Sequence, residues 1–103
     1  MYRQRIRQQI LYGHFREYME IAEEVIGLRR KLGLAAPKLW APTFGTANEV
    51  VWEIEYPDLA TFQRENDVFY SDAEVMKQWR RLWQHAVQGS IHEELLEEAP
   101  HIA

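Results

Sequence analysis

Between Ala47 and Asp58 the apolar side chains fall at every second position: Val50, Trp52, Ile54 and Tyr56. Glu49, Glu53 and Glu55 take the alternate positions, with Val51 the one exception. A period of two predicts a β-strand with one apolar face and one acidic face. Pro57 cannot donate to a ladder and ends the strand, and Asp58 is placed to cap a following helix. Residues 3 to 12 alternate as well. Ile6 and Ile10 share a side with Gln4 and Gln8, while Arg3, Arg5, Arg7 and Gln9 take the other. Gly13 breaks this strand.

From His14 to Leu32 the period changes. Phe15, Tyr18, Ala22, Val25, Ile26 and Leu32 recur at spacings of three and four, with Arg16, Glu17, Glu20, Glu23 and Glu24 mostly opposite. That is an amphipathic helix. Its acidic residues lie early and Arg29, Arg30 and Lys31 lie at the end, which suits the helix dipole. Gly33 is a stop signal. Residues 36 to 44 predict a short strand, and Pro37 and Pro42 confine it to a sheet edge. Gly45 to Asn48 has turn chemistry and predicts a hairpin into the acidic strand. A helical piece runs from Leu59 to about Asn66. The Ser71-Asp72-Ala73-Glu74 run has a capping-box pattern and opens a further helix reaching His85. Val75, Met76, Trp79, Leu82 and Trp83 form its apolar side. Residues 90 to 97 predict a last strand, with Ile91 and Leu95 in one phase and Ser90, His92 and Glu94 in the other. The tail from residue 97 is expected to be extended or loosely held.

The order β-α-β-β-α-β is that of the split βαβ motif. It predicts an α+β, ferredoxin-like antiparallel sheet with the helices on one face, the first and third strands central, and the other two at the edges. The remaining sheet face then carries Trp40, Phe44 and Val51 among its charges. Uncovered aromatic surface of this kind calls for a partner.

Composition narrows the function classes. The 103 residues fit one domain, 1–103, and 47% are hydrophobic, enough for a core. The net charge of −4 argues against nucleic acid, for there is no basic stripe to displace counterions. The absence of cysteine excludes disulfides, thiolate chemistry and Cys-based zinc sites. No run approaches the roughly 20 apolar residues of a membrane span, and none has signal-peptide length, so a cytoplasmic protein without membrane contact is expected. There is no phosphate loop, nucleophile elbow or dinucleotide fingerprint, so no cofactor is indicated. The histidines (His14, His85, His92 and His101) show no convergent ligand spacing, and no metal is expected; His14, His85 and His101 are read as surface or capping residues.

Three stretches carry a family resemblance. The first is a strand with an interior arginine, Arg5 or Arg7, followed by GHFREYMEI. The second is NEVVWEIEYPDLATF. The third is FYSDAEVMKQW, where a helix breaks and restarts. Across nearly its full length the chain resembles the dimeric α+β barrel superfamily, and within it NIPSNAP-like and antibiotic-biosynthesis-monooxygenase-like small proteins. The resemblance implies a homodimer in which two protomers pack sheet to sheet around a lumen. It is compatible with cofactor-independent monooxygenase or isomerase activity, and equally with no catalysis. The Asn, Trp and His trio of the haem-degrading branch is not matched.

If the apolar phases face the helices, the opposite phase faces the lumen. Arg7, Glu53 and His92 are then the catalytic candidates: a carboxylate or imidazole as base, the guanidinium holding a developing oxyanion. Arg5, Trp40, Val51, Glu55 and Glu94 are candidate ligand contacts for a small, partly apolar molecule. The commoner role for such charges is a cross-strand ladder that fixes register, with the open face serving only to make the homodimer. Trp52, Trp79 and Trp83 are read as packing residues before a ligand-stacking box.

Overall fold

The computed structural model describes residues 1–99. Its elements are β1 (Tyr2–Gln9), α1 (Phe15–Lys31), β2 (Lys38–Trp40), β3 (Glu49–Tyr56), α2 (Leu59–Ser71), α3 (Ala73–Trp83) and β4 (His92–Glu97). The strands form one antiparallel sheet in the order β2-β3-β1-β4. The central strands are β1 and β3, and the proline-flanked β2 is an edge, as the pattern predicts. The fold is α+β and ferredoxin-like.

Strand phase follows the alternation. Gln4, Ile6 and Gln8 of β1 and Val50, Trp52, Ile54 and Tyr56 of β3 are buried beneath the helices. The β1–β3 register sets Arg3 against Glu55, Arg5 against Glu53 and Arg7 against Val51. The β1–β4 register sets Arg5 against Glu94 and Arg7 against His92. These side chains share the face that no helix covers.

Several boundaries differ from the pattern, each for a local reason. The second strand shrinks from residues 36–44 to 38–40, because Pro37 and Pro42 bracket it. Phe44 therefore leaves the sheet and lies 92% exposed in the loop before β3. That loop is longer than a tight hairpin turn and re-enters the ladder at Asn48, whose φ of 58° is a left-handed value that asparagine tolerates. The first strand ends at Gln9, and Ile10 makes an isolated bridge to Ala86. The helix from Leu59 runs on to Ser71 and not to Asn66. Its successor is capped one residue later than the Ser71 pattern implies. The Asp72 carboxylate accepts from the Val75 N–H at 2.9 Å, while the Ser71 hydroxyl donates back to the Val68 carbonyl. That helix ends at Trp83 and not His85, and β4 begins at His92 and not Ser90. The tail expectation falls largely on residues 100–103, outside the described residues.

The core lies between the sheet and the helices. Tyr18, Ile21, Ala22 and Val25 of α1 and Val75, Trp79 and Leu82 of α3 are buried in it. Trp79 meets Trp52 and Phe69 edge to face, each at 5.5 Å between ring centroids. Such pairs add about 0.5–1.5 kcal/mol beyond area burial. Trp52 and Trp79 are thus packing residues, while Trp83 meets Trp79 at 6.3 Å between ring centroids and is 47% exposed.

Polar groups within this layer are satisfied. The Trp52 indole donates to the Tyr18 hydroxyl at 2.8 Å, and that hydroxyl donates to Gln8. The Tyr56 hydroxyl donates to the Gln4 side-chain carbonyl at 3.0 Å. Arg29 departs from the sequence reading. It closes α1 but turns inward and is 4% exposed. Its Nε donates to the Ala35 carbonyl at 3.0 Å, its Nη2 lies 3.7 Å from Glu65, and its guanidinium sits 5.3 Å from the Phe69 ring centroid.

Candidate functional site

The uncovered sheet face carries the candidate catalytic and ligand-contact residues, but not Phe44, which was expected there and lies in the loop before β3. Arg3, Arg5 and Arg7 run down β1. Glu49, Val51, Glu53 and Glu55 flank them on β3, and His92, Glu94 and Leu96 on β4. Lys38 and Trp40 complete the face on β2, opposite Glu53 and Val51. Trp40 is 54% exposed and Leu96 is 39% exposed.

The charges form a ladder. The Nε of Arg5 donates to Glu53 Oε2 at 2.8 Å, and its Nη1 lies 3.6 Å from Glu94. Arg3 holds Glu55 at 2.6 Å, and Arg7 holds Glu49 at 3.3 Å. Hydrogen bonding to Glu55, and then its charge, raises the Arg3 pKa above its usual value. Arg5, Glu53 and Glu94 are therefore brought together. Glu55 meets Arg3 and not Arg5 or Arg7. Of the three catalytic candidates, Arg7 and His92 are cross-strand neighbours, whereas Glu53 is turned to Arg5. Glu49, a residue the candidate set omitted, is the carboxylate that Arg7 reaches. Its place in the same alternation as Glu53 and Glu55 was the available signal.

Two shallow grooves open on this face. One, of about 240 Å³, is lined by Arg3, Ala36, Lys38, Trp40, Glu53 and Glu55. The other, of about 420 Å³, lies at the β4 side between Met1, Arg3, Arg5, Glu55 and Leu96. On the helix side, a space of about 20 Å³ lies among Gln4, Arg29, Trp52, Tyr56, Asn66 and Trp79. That volume accommodates roughly one water and no organic ligand.

Two histidines meet although 71 positions separate them. The Nδ1 atoms of His14 and His85 are 3.0 Å apart, an N–H···N bond in which one ring donates and the other accepts. This contact ties the start of α1 to the turn after α3, and no helical spacing announces it. Among the described residues no group of three or more His, Cys, Asp or Glu side chains converges as a metal site. No helix is long and apolar enough to cross a membrane, among the described residues.

The geometry defines a ferredoxin-like α+β protein with one sheet face bare. No family model matches the chain, and no curated protein matches it. Solved structures do. An uncharacterized NIPSNAP domain protein from Burkholderia xenovorans superposes with a TM-score of 0.79 at 19% identity, over 100% of this chain and 99% of that one. A NIPSNAP family protein from Agrobacterium tumefaciens gives 0.76 at 17% identity, over 95% and 92% of the two chains. An antibiotic biosynthesis monooxygenase gives 0.75 at 15% identity, over 97% and 100%. The chain is thus NIPSNAP-like and monooxygenase-like in fold. At these identities the likeness extends to fold and not to chemistry.

Proposed function

We propose that the protein is a homodimer in which two bare sheet faces pack together and enclose a chamber for a small, partly apolar molecule. The observation that carries this is the composition of the open face. Arg3, Arg5, Arg7 and Lys38 are matched by Glu49, Glu53, Glu55 and Glu94, so a second copy meets no net repulsion. Trp40, Val51 and Leu96 supply apolar contact among them. A face of mixed charge and half-exposed apolar groups suits a self-complementary two-fold contact.

Within that chamber Arg5, Glu53, Glu55 and Glu94 act as the ladder that fixes register, and Trp40 and Val51 as apolar wall. The short Arg5–Glu53 bond supports a structural role for Glu53, since a general base needs its carboxylate free to reach a substrate proton. Proton transfer in the chamber, if a substrate calls for it, falls to His92 with Arg7 beside it. A cysteine-free chain suits the reducing cytoplasm, where we place the protein.

Native mass spectrometry tests this. The protein should be dimeric at micromolar concentration, and Val51→Glu should yield a folded monomer with unchanged far-ultraviolet circular dichroism. A wild-type monomer at that concentration would overturn the proposal.

A further inference from the structure

We propose that the groove beside β2 is a site for a planar aromatic carboxylate, with Trp40 as the ring platform and Lys38 as the anion partner. The groove is a closed site only when a second copy covers the face, so the inference rests on the dimer proposed above.

The argument begins with the charges lining the groove. Arg3, Lys38, Glu53 and Glu55 all border it. Both carboxylates already have partners: Glu55 is held by Arg3 at 2.6 Å, and Glu53 by Arg5 at 2.8 Å. Lys38 makes no ion pair among the described residues, although the register sets it opposite Glu53. Nor does its ammonium stack on Trp40; the cation–ring contact among the described residues is Arg29 over Phe69. The uncommitted charge in the groove is therefore a single cation.

Next to it stands an uncommitted ring. Trp40 shares no edge-to-face or stacked pair with another aromatic side chain among the described residues, unlike Trp52, Trp79 and Trp83. Lys38 and Trp40 are alternate residues of one strand, so their side chains leave the same face about 6.6 Å apart. An indole prefers flat, offset contact with another ring, and an ammonium prefers a carboxylate. A ligand that satisfies both has a ring and an anionic group on one rigid plane. The groove of about 240 Å³ fits one or two fused rings. A neutral ligand would leave the Lys38 charge unpaired in a covered chamber, and a dianion would oppose Glu53 and Glu55.

The probe pair is 2-naphthoate and its neutral isostere 2-naphthamide, titrated calorimetrically into the purified protein, with native mass spectrometry reading the oligomer in the same samples. The acid should bind one per protomer, about tenfold tighter than the amide. Lys38→Met should abolish the preference for the acid while the dimer persists. Trp40→Leu should weaken both ligands. A dimer that binds acid and amide equally, or neither, overturns this inference and leaves the dimer standing. A monomer without preference for the acid overturns both.

Discussion

Arg5 and Glu53 face each other across the central strand pair, Nε to Oε2 at 2.8 Å, with side chains 25% and 19% exposed. Neither is fully buried, so the pair lies between the weak surface regime and the costly buried one. Replacing Arg5 by Met leaves the Glu53 carboxylate half-desolvated, and should lower stability by about 1–2 kcal/mol. The double variant Arg5→Met/Glu53→Gln should lose less than the sum of the single changes, with a coupling near 1 kcal/mol. Urea unfolding at a fixed protomer concentration measures both. Additive losses would show that the bond contributes nothing beyond its parts.

The boundary between α2 and α3 depends on Asp72. Its backbone is extended, at φ −84° and ψ 119°, while its carboxylate takes the Val75 N–H. Asp72→Ala should cost about 1 kcal/mol, the usual loss on removing an N-cap. Ser71→Ala should change stability by no more than about 0.5 kcal/mol, because Ser71 ends the preceding helix and caps nothing. Thermal unfolding of the two variants separates them. A larger loss at Ser71 than at Asp72 would place the cap at Ser71, as the sequence pattern alone suggests.

That contrast shows how far residue patterns reach in this chain. Alternation in β1 and β3 identifies the phase of each strand, because one side is buried and a one-residue slip would expose Trp52 and Ile54. By contrast, β4 buries neither side, and Leu95 is its one half-buried residue, set opposite Gln4. Edge placement of β2 follows from Pro37 and Pro42, whose missing N–H groups forbid a central position. Cap position does not follow, because Ser71 and Asp72 are both good caps and only the backbone bend chooses between them. Ion-pair partners are legible only to the nearest ladder rung. Glu53 lies opposite Arg5, but Arg7 reaches past Val51 to Glu49, a choice of rotamer. Arg29 was the least legible: a C-terminal basic run reads as solvated, and its burial depends on Glu65 and Phe69, more than thirty positions away.

Tyr18 and Tyr56 make the fold sensitive to alkali. Burial pushes both phenols above the usual tyrosine range; the bond from Trp52 opposes the shift at Tyr18, and the Arg29 charge opposes it at Tyr56. A tyrosine whose folded pKa exceeds its unfolded value of about 10 keeps its proton longer in the folded chain. Its contribution is complete below pH ~10 and falls as the pH climbs toward the folded value. The urea midpoint should therefore be flat from pH 8 to 9.5 and drop by pH 11. Tyr18→Phe should cost about 1–2 kcal/mol at pH 8, since the Trp52 indole loses its acceptor. The same variant should flatten the alkaline drop. An alkaline slope identical in the variant would assign the effect to other groups.

Arg29 and Glu65 supply the largest expected loss. The guanidinium side chain is 5% exposed and the carboxylate 13%, and Glu65 also accepts the Ala35 N–H at 2.7 Å. Arg29→Met keeps most of the stem volume against Phe69 but strands the Glu65 charge. It should cost about 3 kcal/mol, the range for breaking a buried pair from one side. Adding Glu65→Gln removes that stranded charge while keeping an acceptor for Ala35, so the double variant should regain about 1 kcal/mol or more. The recovery is the informative part, because lost packing alone would leave the double variant no better than Arg29→Met. Urea unfolding of the three variants decides between a charge that needs its partner and an arginine buried for its stem.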